Sequence, residues 1–414
     1  MVVALQVWVY LVAVVMVIYA IRHWVLTLNR VTHRQRPYYQ DMVDSDYPPL
    51  TVLIPMHNEE AVAEGVLNAL IQSDYPKAQC EIIPIDDHSD DATPAILQRF
   101  SESYPYIKPL YRRSGVRGKP AALNDGLRAA SHEIVLVFDA DYLPPRGLLR
   151  DLAMAFLDPE VGAVMGRVVP HNTHVGLVTR LLDLERSGGY QVDQQARYNL
   201  DLMPQYGGTV GGFRRSVALS WGGFDPQVLA EDTDMTLRLY IHGWRVAYAN
   251  RAECYEEVPP TWEGRFRQLR RWARGHTRAM LRHWRPLLRS PYIDRTQKLD
   301  GLLLLAIYLV PPLLLSGLVA NLILFLTGSI PIGTTILLSF FITGFNAFGN
   351  FAPFYQVGAA GLLDGMRERL RLLPYLFFVY LYNTWAVTSG VVDALVDRAG
   401  GRVPSWEKTK RFRR

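Results

Sequence analysis

The chain has 414 residues, of which 49% are hydrophobic and 20% are charged, and its mean hydropathy is +0.03. This composition is richer in apolar residues and poorer in charge than that of an average soluble protein, and it excludes a disordered or collagen-like chain. Cys80 and Cys254 are too few for a disulfide framework or a thiolate zinc site. The formal net charge of +5 does not indicate nucleic-acid binding, because basic loops beside a membrane give the same excess.

The N-terminal segment reads as a membrane span. Residues 2–21 carry no charge and the apolar run extends weakly to Leu28, which is long enough to cross a hydrocarbon core of about 30 Å. A secretory signal peptide is the alternative, but such a peptide has basic residues before its apolar core. Here Arg22 and three further arginines follow the run instead. We therefore predict a transmembrane helix over residues 1–28, followed by a cytoplasmic segment.

The next part of the chain, residues 50–260, has the pattern of an α/β domain. Short apolar runs alternate with helical patterns, and the apolar strands are continuous, which predicts a parallel sheet covered on both faces. The predicted strands are Thr51–Pro55, Glu81–Ile85 and Ile134–Phe138, and the predicted helices are Ala61–Gln72, Pro94–Ser103 and Lys119–Ala130. Polar clusters follow the strands, at the sheet edge where ligands bind in open α/β folds. Neither a G-x-G-x-x-G after the first strand nor a phosphate-loop motif is present, which disfavours hydride transfer and phosphate-loop ATPase activity.

Acidic residues occupy these strand ends. Asp139 and Asp141 follow the third predicted strand, and two-residue alternation places both carboxylates on one side. They can share one hard cation with oxygen ligands, although a simple turn is the alternative reading. Asp86 and Asp87 end the second strand in the same way.

A second acidic cluster opens a helical pattern further along the chain. Glu231 and Asp232 begin a run that ends near His242, where acids also stabilise the helix dipole and cap free amides. A carboxylate at the rim of a cation site is also a candidate general base if it lies within hydrogen-bond reach of an acceptor hydroxyl. Both readings stay open for Asp232.

The C-terminal third combines a basic amphipathic helix with three apolar stretches. Residues 261–298 are predicted to lie in the membrane interface, with nucleic-acid or calmodulin binding as the alternative. The region 299–397 contains the apolar stretches Gly301–Thr327, Ser329–Tyr355 and Leu372–Val392, and residues 398–414 form a basic, cytosolic tail. Basic residues lie just before Leu372–Val392 and again in the tail that follows it. If Leu372–Val392 crossed the membrane once, these two basic segments would lie on opposite sides. A re-entrant or interfacial last segment is therefore the other possibility.

The ordered motifs resemble those of membrane-bound family 2 glycosyltransferases, which include synthases of cellulose, chitin, hyaluronan and poly-N-acetylglucosamine. The matching elements are Asp86-Asp87, the D-x-D of Asp139 and Asp141, Glu231-Asp232 and the Q-x-x-R-W of Gln268, Arg271 and Trp272. Together the four motifs are far more specific than any one alone.

This resemblance implies a GT-A (Rossmann-like) fold inserted between transmembrane helices, a UDP-sugar donor, and Mg²⁺ or Mn²⁺ as cofactor. It implies nucleoside contacts for His57, Asn58, Glu59, Asp86 and Asp87. Lys119 would lie near the phosphates, Asp139 would contact the nucleotide and the metal, and Asp141 would bind the metal. Glu231 would lie in the substrate site, Asp232 would be the base, and Gln268, Arg271 and Trp272 would hold the diphosphate and flank the acceptor.

The implied activity is an inverting transfer that builds and exports a β-linked polysaccharide at the cell membrane, with the catalytic domain in the cytoplasm. The partners implied are the donor, a growing glycan or lipid acceptor and membrane lipids, without nucleic acid; accessory subunits and oligomeric state stay open. Transfer of one sugar to a lipid, as by a ceramide or diacylglycerol glucosyltransferase, is the alternative. A catalytically silent scaffold is disfavoured, because every charged motif residue is retained.

Overall fold

The protein is described from a computed structural model that covers residues 1–37, 47–329 and 354–400. A seven-stranded sheet lies at its centre, with the strand order β3-β2-β1-β4-β6-β5-β7. The strands are β1 Leu50–Met56, β2 Cys80–Asp87, β3 Leu110–Arg112, β4 Ile134–Val137, β5 Val161–Pro170, β6 Gly211–Arg214 and β7 Arg245–Glu256.

The sheet is mixed, whereas the sequence predicted a parallel one. The parallel pairing of β1 with β2 and β4 is confirmed, but β6 runs antiparallel to both β4 and β5. Gly211 and Gly212, two of the four residues of β6, lack the branched or aromatic side chains typical of strands. The glycines are required because a Cβ on Gly212 would lie 2.2 Å from the carbonyl oxygen of Val135.

Helices cover both faces of the sheet and extend beyond it. They are α1 Val2–Thr32, α2 Ala63–Ile71, α3 Thr93–Ser103, α4 Lys119–Ala129, α5 Leu148–Ala153, α6 Leu177–Ser187, α7 Gln195–Asn199, α8 Arg215–Ser220, α9 Glu231–Ile241, α10 Trp262–Arg289, α11 Arg295–Ala306, α12 Val310–Leu326, α13 Phe354–Leu363 and α14 Leu376–Gly400. A π-helical segment, Gly188–Gln194, joins α6 to α7.

Two apolar cores form, one on each face of the sheet. In β1, Val52, Ile54 and Met56 enter one core, whereas Leu53 between them enters the other. Successive strand residues point to opposite faces, so a strand that is apolar throughout is buried on both. This sandwich fixes the carboxyl ends of β1, β2 and β4 at one edge.

Two helices among the described residues are long and apolar enough to cross a membrane: α1, and the continuous segment Arg295–Leu326 that contains α11 and α12. They pack closely, since a Cβ on Gly317 would lie 2.9 Å from a side-chain carbon of Val12. Most of the predicted span Ser329–Tyr355 and tail residues 401–414 lie outside the described residues.

The last apolar stretch, Leu372–Val392, is divided between two elements of the structure. Its first residues belong to a 3-10 segment that ends at Tyr375, and α14 then packs along α10. Arg274 Nε contacts Asp397 at 2.6 Å, and the Tyr382 hydroxyl donates to the carbonyl of Trp262 at 2.8 Å. These contacts join the amphipathic helix α10 to the C-terminal helix along much of its length.

We expect Gly212→Ala to destabilise the protein strongly. Its added methyl group would collide with a strand carbonyl that cannot rotate away, and overpacking of this kind costs about 1–3 kcal/mol or more. Thermal unfolding of detergent-solubilised protein measures the effect. Gly147→Ala is the matched control, because a Cβ there meets nothing within 4 Å; equal unfolding midpoints for the two variants would contradict the close packing of β6.

Candidate active site

A cleft of about 1290 Å³ opens at the carboxyl ends of β1, β2 and β4. Eleven of the thirteen residues predicted from the sequence line it: His57, Glu59, Asp87, Lys119, Asp139, Asp141, Glu231, Asp232, Gln268, Arg271 and Trp272. Asn58 and Asp86 do not line the cleft. Asp86 is fully buried and binds Arg113 Nη1 at 2.6 Å, so it supports the loop after β3.

Asp87 fixes the start of α4. Its Oδ2 accepts the backbone N–H of Gly118 at 2.6 Å, and its other oxygen binds Arg112. Gly118 has φ +121°, a backbone conformation that favours glycine. Lys119, the first residue of α4, is thereby held over the cleft. The His57 ring, through Nδ1, also contacts the carbonyl of Asp87 at 2.8 Å.

The Lys119 ammonium is the central cation of the cleft. Its Nζ lies 2.7 Å from Asp139 Oδ1 and 3.0 Å from the carbonyl oxygen of Gly208, and 3.6 Å from Glu231 Oε1. Burial alone would lower the pKa of Lys119, but Asp139 and Glu231 outweigh it and raise that pKa above its usual value. Lys119 therefore stays protonated and offsets the carboxylates around it.

Glu231 and Asp232 are acids whose ionised form is disfavoured. Burial raises the pKa of both carboxyl groups, because an ion loses solvation there. The positive charge of Lys119 lowers both pKa values and so opposes this rise. The negative charge of Asp232 raises the pKa of Glu231 further. Asp232 Oδ1 also accepts the N–H of Thr233 at 2.7 Å. This contact satisfies one of the free N–H groups in the first turn of α9, and it coexists with a place in the cleft.

The neighbouring acid Asp234 points elsewhere. It is buried, its Oδ1 lies 2.7 Å from His283 Nε2, and its Oδ2 lies 2.9 Å from Arg238 Nε. Asp232 and Asp234, which look alike in the sequence, therefore differ: the first lines the cleft and the second ties α9 to α10.

One face of α10 forms a wall of the cleft. Gln268, Trp272 and His276 follow each other at four-residue spacing and all line it, as helical periodicity requires. The guanidinium carbons of Arg186 and Arg265 lie 5.0 Å and 5.7 Å from the centre of the Trp272 ring. Such cation–π contacts fix the ring.

Sequence reasoning missed His276, although its spacing from Gln268 and Trp272 was the available signal. Its Nδ1 lies 2.9 Å from Thr233 Oγ1, and its ring stacks on Tyr308 at 4.7 Å. Burial lowers the pKa of His276 to about 4, so the ring is neutral at pH 7. It supports the residue that follows Asp232.

Metal binding is compatible with the donor set but not preformed. Among residues 1–37, 47–329 and 354–400, no group of three or more His, Cys, Asp or Glu side chains is placed to hold a metal ion. Asp139 and Asp141 nevertheless both line the cleft and offer the oxygen ligands that Mg²⁺ and Mn²⁺ prefer. A diphosphate would have to supply further oxygens.

Residues of the apolar helices also line the cleft. They include Leu304, Ile307 and Pro311 of the Arg295–Leu326 segment, and Val357 of α13. Arg22 and His23 of α1 line it too, and they contact Asp300 and Gln356 of those helices. One cavity therefore joins the acidic edge of the sheet to helices with the composition of membrane spans.

Lys119→Met should destabilise the protein more at pH 8 than at pH 5. The raised pKa values of Glu231 and Asp232 mean that the folded state binds more protons than the unfolded state, so their contribution to stability falls as pH rises. Removing the ammonium raises both pKa values further and extends this loss to higher pH. We expect a loss of about 2–3 kcal/mol near pH 8, measured as a fall in the thermal midpoint of several degrees.

Lys108→Met provides the control. Lys108 binds Glu81 at 2.7 Å. Burial would raise the pKa of Glu81, but hydrogen bonds from Lys108, Ser131 and Thr51 lower it to about 2. Glu81 is ionised at both pH values, so this variant should show the same loss at each. Equal losses at the two pH values for Lys119→Met would contradict the role of Lys119 in balancing the buried acids.

Comparison with known proteins identifies the family. The family described as "Glycosyltransferase like family 2" has a sequence model that matches residues 48–275, more than half of the chain. The probable glycosyltransferase YdaM of Bacillus subtilis is 35% identical over 240 residues, 57% of this chain and 57% of that protein. The beta-monoglucosyldiacylglycerol synthase of Synechocystis is 33% identical over 267 residues, 64% of this chain and 55% of that protein. The chain thus spans a little over half the length of these curated relatives.

A solved structure shares the architecture. The mannosyltransferase PcManGT from Pyrobaculum calidifontis, determined in complex with GDP-Man and Mn²⁺, superposes with a TM-score of 0.62 at 22% identity. The match covers 94% of this chain and 99% of that one. The GT-A fold expected from the sequence is confirmed, and the chain belongs to glycosyltransferase family 2.

Proposed function

We propose that this glycosyltransferase moves a single sugar from a nucleotide sugar to a hydroxyl group of a membrane lipid. The observation that supports this most directly is the continuity of the cleft. Asp232 and Lys119 line the same cavity as Leu304, Ile307 and Pro311 of a candidate membrane helix. A lipid acceptor needs both environments at once: a polar site for its hydroxyl and an apolar path for its chains.

The donor's diphosphate would bind at the charged end. Lys119 begins α4, where free backbone N–H groups and the helix dipole favour an anion, and Arg271 faces the same cleft from α10. A divalent cation held by Asp139 and Asp141 would supply charge stabilisation for the leaving diphosphate. Fixed positive groups in a site largely shut from water stabilise that developing charge effectively.

Asp232 would accept the proton of the acceptor hydroxyl. Its raised pKa makes it a stronger base than an exposed aspartate, and an acid–base catalyst works best when its pKa approaches the working pH. Glu231 would remain beside Lys119, while Thr233 and His276 hold the first turn of α9 in place. Attack in line with the leaving group would invert the anomeric configuration, so an α-linked donor would give a β-linked product.

Formation and export of a polysaccharide, the reading preferred from the sequence, stays a prediction. The relative above whose name states its product is a glucolipid synthase, which favours the lipid alternative. UDP as the nucleotide, Mn²⁺ or Mg²⁺ as the metal, and a cytoplasmic catalytic domain of a multi-pass protein likewise remain part of what we propose. Two candidate spans support membrane association.

Product analysis separates the two activities. Purified protein in lipid nanodiscs containing diacylglycerol is incubated with labelled UDP- and GDP-sugars and Mn²⁺, and the products are extracted and sized. We expect one labelled lipid carrying a single sugar. High-mass material that is digested by a glycanase, without a labelled lipid, would overturn the proposed function in favour of polymer synthesis.

Asp232→Asn should reduce transfer by at least about a thousandfold, since loss of a positioned base commonly costs 10²–10⁴ in rate. Affinity for the nucleoside diphosphate, measured by calorimetry, should change less than about threefold, because the amide keeps the size of the side chain. Asp234→Asn is the matched control on the same helix. It should lower the thermal midpoint through its His283 and Arg238 contacts but leave turnover per folded molecule near the wild-type value. Unchanged turnover in Asp232→Asn would remove this residue from the base role.

A further inference from the structure

A cluster of charged groups at the membrane end of the cleft has no part in the transfer chemistry proposed above. We define the membrane-end cluster as Arg22, His23, Asp193, Arg197 and Asp300. The first four residues line the cleft, and Asp300 pairs directly with Arg22. Arg22 and Asp300 lie on the two candidate membrane helices and are 7% and 6% exposed. Buried charges on such helices are costly and usually mark a functional site.

The formal charges of the guanidinium and carboxylate groups in this cluster cancel. Arg22 Nε donates to Asp300 Oδ1 at 2.7 Å, and Arg22 Nη1 lies 3.5 Å from Asp193 Oδ2. Asp193 Oδ1 also accepts from Arg197 Nε at 2.7 Å. Two guanidinium groups thus face two carboxylates. A phosphate at this position would be repelled by carboxylates already in contact with the arginines, so the cluster favours a neutral ligand.

Within the described part of the chain, one donor and one acceptor of the Arg22–Asp300 pair are buried without a hydrogen-bond partner: Nη2 of Arg22 and Oδ2 of Asp300. An unpaired buried polar group costs about 1–3 kcal/mol and in a native protein usually meets water or a ligand. The neighbouring His23 Nδ1 is engaged with Gln356 at 3.1 Å. A carbonyl or hydroxyl oxygen of a ligand would accept a hydrogen bond from Arg22 Nη2, whereas Asp300 Oδ2 needs a donor such as a hydroxyl group or a water molecule.

Apolar side chains adjoin the cluster in the same cavity. Leu304, one turn beyond Asp300 on α11, and Val357, next to Gln356 on α13, both line the cleft. Acyl chains can pack there while a polar head group meets Arg22. The head group would then lie inside the same cavity that Asp232 lines.

We propose that the membrane-end cluster is the head-group subsite of the acceptor, and that this acceptor is a neutral lipid with a free hydroxyl and an ester or amide carbonyl, of the diacylglycerol class. Arg22 Nη2 donates to the carbonyl, and the free hydroxyl extends toward Asp232. This assignment rests on the proposed function, because it presupposes a lipid acceptor. It adds the residues that bind the head group and the requirement for neutrality.

The test titrates diacylglycerol in nanodiscs at saturating nucleotide sugar, for wild type, Arg22→Gln and Arg22→Lys. We expect the KM for diacylglycerol to rise at least about tenfold in both variants, as for loss of a hydrogen bond from a charged group. The KM for the nucleotide sugar and its slow hydrolysis without acceptor should stay within about twofold of wild type. Arg22→Lys keeps the charge opposite Asp193 and Asp300, so it decides the question if Arg22→Gln fails to fold.

Arg30→Gln is the matched control. Arg30 is on the same helix, is 9% exposed and hydrogen-bonds the carbonyl and side-chain oxygens of Gln191 at 2.9 Å, but it does not line the cleft. Its variant should show an unchanged KM for diacylglycerol. A fall in thermal midpoint shared by Arg30→Gln and Arg22→Gln would report packing of α1, whereas a change in lipid KM confined to Arg22 variants reports the subsite.

Three outcomes overturn the assignment, and they are distinguishable. If wild type glycosylates diacylglycerol but the Arg22 variants keep its KM, the subsite is wrong and the proposed function stands. If polyprenyl phosphate or phosphatidic acid is the better acceptor, neutrality is wrong. If wild type forms no glycolipid from any of these lipids, the proposed function and the subsite both fail.

Discussion

The cleft depends on one ammonium group among three carboxylates. Asp139, Glu231 and Asp232 come from two distant parts of the chain, and burial penalises the ionised state of the last two. Lys119 makes their proximity tolerable, and Lys119 is held in turn because Asp87 binds the backbone of Gly118. Asp87, the second residue of the Asp-Asp pair at the end of β2, therefore also acts indirectly, because through the start of α4 it positions the Lys119 charge in the site.

The apolar helices are fastened to the catalytic domain by buried polar contacts. Arg30 of α1 binds Gln191, and Gln191 in turn donates to Asp364, just beyond α13, at 2.6 Å. Asp364 also accepts from Ser187 Oγ at 2.6 Å. Single hydrogen bonds of this kind contribute only about 1 kcal/mol each, but they are directional. They fix how the helices meet the sheet, which hydrophobic contact alone would leave free to slide.

Local patterns were enough to predict the strands and helices that carry the acidic residues, because alternation and strand-end polarity are properties of short segments. Gly211 and Gly212 carried no such signal: their place in β6 follows from contact with Val135 and Val164 on neighbouring strands. The pair of Arg22 and Asp300 joins residues 278 positions apart, and no periodicity links them. His276 lies between these cases, since its helical spacing from Trp272 was visible but its contact with Thr233 was not.

The change from a charged to an apolar wall along one cavity bears on how transfer competes with hydrolysis. A base with a raised pKa activates water as readily as a lipid hydroxyl, so the geometry near Asp232 cannot by itself choose between them. An acceptor whose chains fill the space between Leu304 and Val357 would exclude water from the cavity, and the hydroxyl would then be the nucleophile within reach. On this view, the apolar part of the cavity would determine which acceptor binds. Asp232 would activate a water molecule and a lipid hydroxyl equally well. On the same view, the charge balance at Arg22 would matter because a neutral head group, bound mainly by apolar packing, would leave Lys119 and Arg271 available for the diphosphate.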